Sequence, residues 1–272
     1  MTVLSLFDGI SCGQLALQRC GIPVDTYFAS EIDENAKVVT QQHFPNTIQL
    51  GDVTNIRGAD LPTIDLLMGG SPCQGFSFAG KQLNFNDPRS KLFFEFVRIL
   101  QETTPRWFLL ENVKMRRQYR DVITDHLGVH PIEIDSAMFS KQTRKRLYWT
   151  NIPIGEITPT SENFDGLLYR LGHGYIPEEI RFFRKYPTLV AQSPGTKYRI
   201  VVDANKAQDA DKATLRRDTQ VTRVASPEEC EEFQTLPIGY TNILPKTQRY
   251  KVIGNGWTVN VISHIFKGLL YE

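Results

Sequence analysis

The first half of the chain alternates short apolar runs with stretches at helical spacing, and this alternation restricts the fold more than any other property. Residues 3–7, 26–29, 64–68 and 107–110 read as strands, and 13–19, 34–42 and 90–102 as helices. In the last of these, Leu92, Phe93, Phe96, Val97 and Leu100 recur at helical intervals. Strand–helix alternation predicts an α/β fold, a parallel sheet with helices on both faces. Ligands of such sheets gather at the carboxyl ends of the strands. The chemically unusual residues fall there: Phe7, Asp8 and Gly9, then Glu31, then residues 69–76, then Glu111 and Asn112.

The pattern weakens beyond residue 151. Residues 155–222 collect turn formers, basic side chains and a polar stretch, and predict a small, loop-rich second region. Order returns at 227–233, a helix with Ser226 as N-cap and acidic residues in its first turn, and the chain ends in a helix over 259–270. The expected division is 1–154 as the main domain, 155–222 as the small region, and 223–272 as a return to the main domain.

Net charge is +1, which decides nothing about nucleic acid, because a DNA enzyme needs a basic face and not a basic average. The four cysteines form no C-x-x-C pair and the five histidines are scattered, so no metal site is expected. A disulfide scaffold does not suit a chain of this size, and a reducing, intracellular setting fits. No run approaches the roughly 20 apolar residues of a membrane span. The start of the chain has no basic lead-in and Asp8 cuts its apolar run short, so it reads as a strand and not a signal peptide.

Three clusters carry chemistry. In Gly69-Gly70-Ser71-Pro72-Cys73-Gln74-Gly75, glycines let backbone pass close to a ligand and Pro72 stiffens the loop before a thiol. A lone cysteine is more often a small buried hydrophobe; a strand-end loop of this composition suits a presented nucleophile. Glu111-Asn112-Val113 offers a carboxylate beside the same sheet edge, as an acid or hydrogen-bond partner, although alone it would more often cap a helix. In Gln142-Thr143-Arg144-Lys145-Arg146, a strand would turn Gln142, Arg144 and Arg146 to one face. Two guanidiniums there suit phosphate or a base carbonyl, or form only a solvated basic patch. The loop 7–13 lacks G-x-G-x-x-G, which argues against a nicotinamide enzyme. It suits a nucleoside cofactor without pyrophosphate, with Glu31 placed for ribose hydroxyls and Asp52 for an adenine amino group.

Together and in this order, these motifs resemble the cytosine-5 DNA methyltransferase family. The likeness covers nearly the whole chain outside the middle region and extends to residues 223–237 and to the closing segment Gly254-Asn255-Gly256-Trp257-Thr258. Phe7-Asp8-Gly9 stands where many members have Phe-Ala-Gly, and Gly-Asn-Gly-Trp where many have Gly-Asn-Ser or Gly-Asn-Ala. Both are similar to the animal de novo enzymes, whose recognition region is also short. The resemblance implies a Rossmann-like, doubly wound S-adenosylmethionine-dependent sheet with a small target-recognition region at 155–222. Cys73 would attack carbon 6 of a cytosine flipped out of double-stranded DNA. Glu111 would bond N3 and the amino group, Arg146 the O2 carbonyl, and Arg144 the base or a phosphate.

Phe7, Asp8, Gly9, Ile10, Ser11, Cys12, Glu31, Ile32, Asp52, Val53, Pro72, Leu92, Asn255, Gly256 and Trp257 would hold S-adenosylmethionine. Ser71, Gln74, Gly75, Asn112 and Gln142 would serve the substrate. The polar loop through Gly80, Lys81, Asn86 and Arg89 would close over the flipped base, and Thr188-Leu189 resembles a segment of the family's recognition regions. Rival readings are a tRNA cytosine-5 methyltransferase, whose usual Cys-Phe-Thr segment this chain lacks, and an inactive DNA-binding relative. Small size fits a bacterial or phage enzyme in the cytoplasm, with or without a restriction endonuclease partner.

Overall fold

Every residue from Val3 to Leu6 of β1 (Thr2–Leu6) is buried, so both faces of the strand are covered. Such strands belong in the middle of a parallel sheet. The computed structural model describes residues 1–71, 88–159, 162–171, 178–192 and 197–271, with backbone alone at 88–91. Pro72, Cys73, Gln74 and Gly75 lie outside the described residues, as do Gly80, Lys81 and Asn86. Two compact units form. The first comprises Met1–Asp135, Lys145–Thr158 and Val259–Glu272; the second Ser136–Arg144 and Pro159–Thr258.

The first unit holds β1, α1 (Cys12–Arg19), β2 (Thr26–Ser30), α2 (Glu34–His43), β3 (Ile48–Gln49), β4 (Leu66–Gly69), α3 (Pro88–Thr103), β5 (Trp107–Val113), α4 (Arg117–Leu127), β6 (Ile132–Asp135) and β7 (Lys145–Thr150). Its seven strands lie in the order β3-β2-β1-β4-β5-β7-β6. All pairs from β3 to β5 are parallel, and β7 runs antiparallel to both neighbours. The order reverses between β1 and β4, and a crevice opens at such a point beyond the carboxyl ends of the strands.

Leu4, Leu6, Leu67, Phe108, Leu110 and Trp149 turn to one face, where Phe93, Phe96, Ile99, Ile123 and Leu127 of α3 and α4 meet them. Each such side chain contributes roughly 1.5–3 kcal/mol when fully buried. α1 packs with α9 (Val259–Phe266): the Cys20 thiol donates to Ser263 O at 3.2 Å and Arg19 to Asn260 at 2.9 Å. The expected strands and helices of the first half are all present, and β5 runs three residues further than its apolar run. The antiparallel neighbour β7 is the reason, since it pairs Leu109–Val113 with Arg146–Thr150.

The second unit bears on three expectations. Within residues 155–222, expected as a small, loop-rich region, β8 (Gly166–Arg170), β9 (Glu179–Phe183), β10 (Tyr198–Val201) and β11 (Thr222–Arg223) form an antiparallel sheet in the order β11-β10-β8-β9. Beside it α5 (Ala204–Asp209) and α6 (Lys212–Arg217) complete a small core of Tyr169, Ala207, Leu215 and Val221. The boundaries also differ. Residues 223–258, with α7 (Pro227–Phe233) and α8 (Lys246–Asn255), fall in this unit, and only the segment from Val259 onward joins the first. Ser226 and Glu229 cap α7 reciprocally, as the sequence predicts. Third, Gln142 and Arg144 precede β7 and are not part of it.

Candidate active site

Three residues of the loop after β1 have left-handed backbone: Phe7 (φ 57°), Gly9 (φ 61°) and Ser11 (φ 55°). Two of them carry a Cβ, so the turn is strained and has to be held from outside. Asp8 N donates to Ser30 O at 3.1 Å and Gly9 N to Glu31 Oε2 at 2.8 Å. Thr40 of α2 donates to Gly9 O and to Ser11 Oγ at 3.4 and 3.2 Å. Asp8 accepts from Tyr27 OH at 2.7 Å and from the Ser11 hydroxyl. Burial pushes the Asp8 carboxyl up to about 6, against the lowering effect of its bonds from Ser11, Ser5 and Tyr27.

The other Glu31 oxygen accepts from Ile32 N and Asp33 N, both at 2.8 Å, which fixes the carboxylate just past β2. Beside it Ile32 is 71% exposed. A fixed carboxylate next to an open apolar side chain suits a ribose with an adjoining flat base. Asp52 is exposed and caps the turn after it, accepting from Thr54 N at 2.9 Å. Leu92 is partly buried against the core. Ile10, Cys12 and Val53 are buried.

On β5 and β7, Arg146 Nε lies 2.9 Å from Glu111 Oε1. The register pairs Glu111 with Tyr148 and Val113 with Arg146, so both charges share one face as diagonal neighbours. Arg146 also donates through Nη1 to Lys145 O at 2.8 Å. Asn112 points the opposite way, as the next residue of a strand does. Its amide donates to Ser71 Oγ at 3.0 Å and accepts from Val113 N at 2.8 Å. Asn112 and Ser71 are both buried, and they hold each other.

Gln142 and Arg144 serve the second unit. The Gln142 amide donates to Phe233 O and Gln234 Oε1 and accepts from Leu189 N, all at 2.9 Å. Arg144 donates to Leu189 O at 3.0 Å, Gly256 O at 3.1 Å and Gly254 O at 3.4 Å. Both are buried. The expected single face of three side chains is therefore replaced: Gln142 and Arg144 brace the Thr188-Leu189 segment and the closing turn, and Arg146 alone meets Glu111. Gln234 adds bonds to Ile253 O and Gly256 O, and Thr258 donates to Gln234 Oε1 at 2.7 Å. In that turn Asn255 is exposed and Trp257 half-buried.

Sequence reasoning missed Tyr27 and Thr40, which strap the first loop, and Gln234, which holds the last turn. It missed Glu231 as well, fully buried and bonded to Gly239 N, Thr241 and Arg249. Each lies on an element whose own pattern looks ordinary, so only the fold reveals it. Cys12, Cys20 and Cys230 form no disulfide, and burial pushes Cys20 and Cys230 up. Among the described residues no cluster has the makings of a metal site, and no helix is long and apolar enough to cross a membrane.

A family model described as C-5 cytosine-specific DNA methylase matches residues 1–127 and 135–270. The Type II methyltransferase M1.ScrFI of Lactococcus lactis subsp. cremoris is 28% identical over 98% of this chain and 77% of its own length. The Type II methyltransferase M.NgoBV of Neisseria gonorrhoeae is 41% identical over 41% of this chain and 27% of its own. Among solved structures, a Spodoptera frugiperda DNMT2 mutant superposes with a TM-score of 0.71 at 23% identity, over 99% of each chain. At that identity the last likeness speaks for the fold alone.

Proposed function

This chain belongs to the C-5 cytosine-specific DNA methylase family, whose members methylate carbon 5 of cytosine in DNA, and on that premise we propose that it does so with S-adenosylmethionine, through a covalent bond from Cys73 to carbon 6. The observation that carries the residue-level reading is the Glu111–Arg146 pair on β5 and β7, one residue from the Asn112–Ser71 bond. Ser71 is two residues before Cys73 in sequence. The buried state of Cys12 and Cys230 supports Cys73 as the reactive thiol.

Glu31 would take the ribose hydroxyls, Asp52 the adenine amino group and Ile32 a face of the base. Asn255 and Trp257 would contribute from the closing turn. When bound, S-adenosylmethionine supplies the methyl group that carbon 5 takes, its sulfonium leaving as a neutral thioether. The Cys73 thiolate forms a bond to carbon 6, and the ring's electron pair moves toward carbon 5 and N3. Glu111 bonds N3 and the exocyclic amine, where charge builds during that attack. Arg146 fixes Glu111 through Nε, and its Nη2 has no acceptor among the described residues, which leaves a donor for the O2 carbonyl. After transfer the carbon 5 proton passes to water. The electron pair of the broken carbon 5–hydrogen bond forms the carbon 5–carbon 6 double bond as the carbon 6–sulfur bond breaks, its electrons leaving with Cys73 as a thiolate.

The target base has to leave the duplex, at a cost of a few kcal/mol. Residues 155–222 are the candidate recognition region, and exposed Arg181 and Arg184 on and after β9 give it basic character. A restriction endonuclease partner and a cytoplasmic location fit the Type II names of the relatives. The test is bisulfite sequencing of plasmid from cells expressing the wild type beside Cys73→Ala. Protected cytosines in one sequence context, absent with the variant, are the expected result. Protection that survives in the variant would remove Cys73 from the mechanism, and none in either sample would remove DNA as the substrate.

A further inference from the structure

Within the second unit, half-buried arginines are matched by carboxylates: Arg170 by Glu179 at 2.9 Å, Arg223 by Glu229 at 2.6 Å and Arg249 by Glu231 at 3.0 Å. Arg199 of β10 is different. It is half-buried and has no carboxylate among the described residues. Its Nε donates to Thr222 Oγ1 at 2.7 Å and its Nη2 to Thr222 O at 2.9 Å. Thr222 is fully buried and itself donates to Leu215 O, so the residue that aims the guanidinium is fixed. Burial alone pushes the Arg199 guanidinium down from its usual range, with no neighbouring charge opposing it.

A guanidinium is planar, and its two edges each carry a pair of parallel N–H groups. Thr222 uses the Nε–Nη2 edge. The Nη1–Nη2 edge keeps two parallel donors with no acceptor among the described residues. A partly desolvated cation without a counter-charge is unfavourable in the free protein unless a ligand completes it. Its preset orientation means that little side-chain entropy is lost when one does.

We propose that Arg199 is a DNA-contacting residue of this enzyme, its Nη1–Nη2 edge taking a pair of acceptor atoms on the duplex, with Thr222 as the positioning residue that aims it. The matching pairs on DNA are two phosphate oxygens or guanine O6 and N7. This rests on the DNA-methylating reading above.

The test measures duplex binding and methylation for wild type, Arg199→Gln and Arg199→Lys, with melting temperature and methyl-donor affinity as controls. Arg199→Gln is expected to weaken DNA binding about tenfold and leave donor affinity unchanged. Arg199→Lys keeps the charge but not the paired donors, and is expected to recover less than half of that loss; it also serves if the glutamine variant does not fold. A phosphate contact shows as a salt slope of binding lower by about 1, equal on all sequences. A guanine contact shows as lost discrimination at one base pair in bisulfite sequencing, abolished likewise by 7-deazaguanine there. A folded variant that binds and discriminates as the wild type does overturns the proposal. A wild type that methylates no duplex overturns the reading beneath it, and this inference with it.

Discussion

Arg146 Nε sits 2.9 Å from Glu111 Oε1 across the antiparallel pair of β5 and β7, with side-chain exposures of 14% and 11%. A pair so sheltered holds its carboxylate in one orientation, and removing one member strands the other. Arg146→Ala is therefore expected to cost about 3 kcal/mol of stability, read by urea unfolding. Glu111→Gln keeps the shape and is expected to lower single-turnover methylation by roughly 10²–10³ with a much smaller loss of stability. Equal damage to stability from both variants would contradict a chemical role for Glu111.

Arg144 separates structural bracing from base contact. Its donors are spent on Leu189 O, Gly254 O and Gly256 O, and lysine cannot reach three carbonyls in that plane. Arg144→Lys is expected to lower unfolding free energy by about 2 kcal/mol, measured by chemical denaturation. A variant of wild-type stability with weakened DNA binding would restore the expectation that Arg144 touches the substrate.

Asp8 gives a pH signature. Its carboxyl rises from 3.8 to about 6 because burial disfavours the charge. Between those values the folded protein holds more of this proton than the unfolded chain, so the Asp8 contribution makes stability fall as pH rises through that window. Above it the cost levels off at roughly 3 kcal/mol. Asp8→Asn is thus expected to gain on the wild type from pH 4 to pH 7, in paired thermal melts. A difference that does not change with pH would mean that the carboxyl titrates normally.

Gly254 approaches Val190 so closely that a Cβ would lie 2.2 Å from Val190 O. The contact is with backbone, which cannot swing aside. Gly254→Ala is expected to cost about 2 kcal/mol or more, visible as a lower melting temperature. A neutral substitution would show that the closing turn has room to shift.

The sequence made the sheet legible because buried parallel strands and their helices each leave a local period. It also placed Glu31 and the first loop at strand ends, which is a matter of order along the chain, whereas Glu111 lies inside β5 because β7 extends the pairing to Val113. Gln142 and Arg144 were misread because a five-residue segment ahead of a strand looks like part of it. What removes them is bonding to Leu189, Phe233 and Gly256, 45 to 112 residues away. The boundary at Val259 was illegible for a related reason, since α8 and α9 differ in which core they join and not in pattern.

The Asn112–Ser71 bond has a consequence for anyone exchanging parts among related enzymes. It ties the entrance of the segment bearing Cys73 to the strand bearing Glu111, through two side chains that face away from solvent. The loop and the strand are thus not separate modules. A transplanted segment would have to arrive with a hydroxyl for Asn112, or the graft would leave a sealed amide with only its 3.4 Å bond to the Ser71 backbone oxygen.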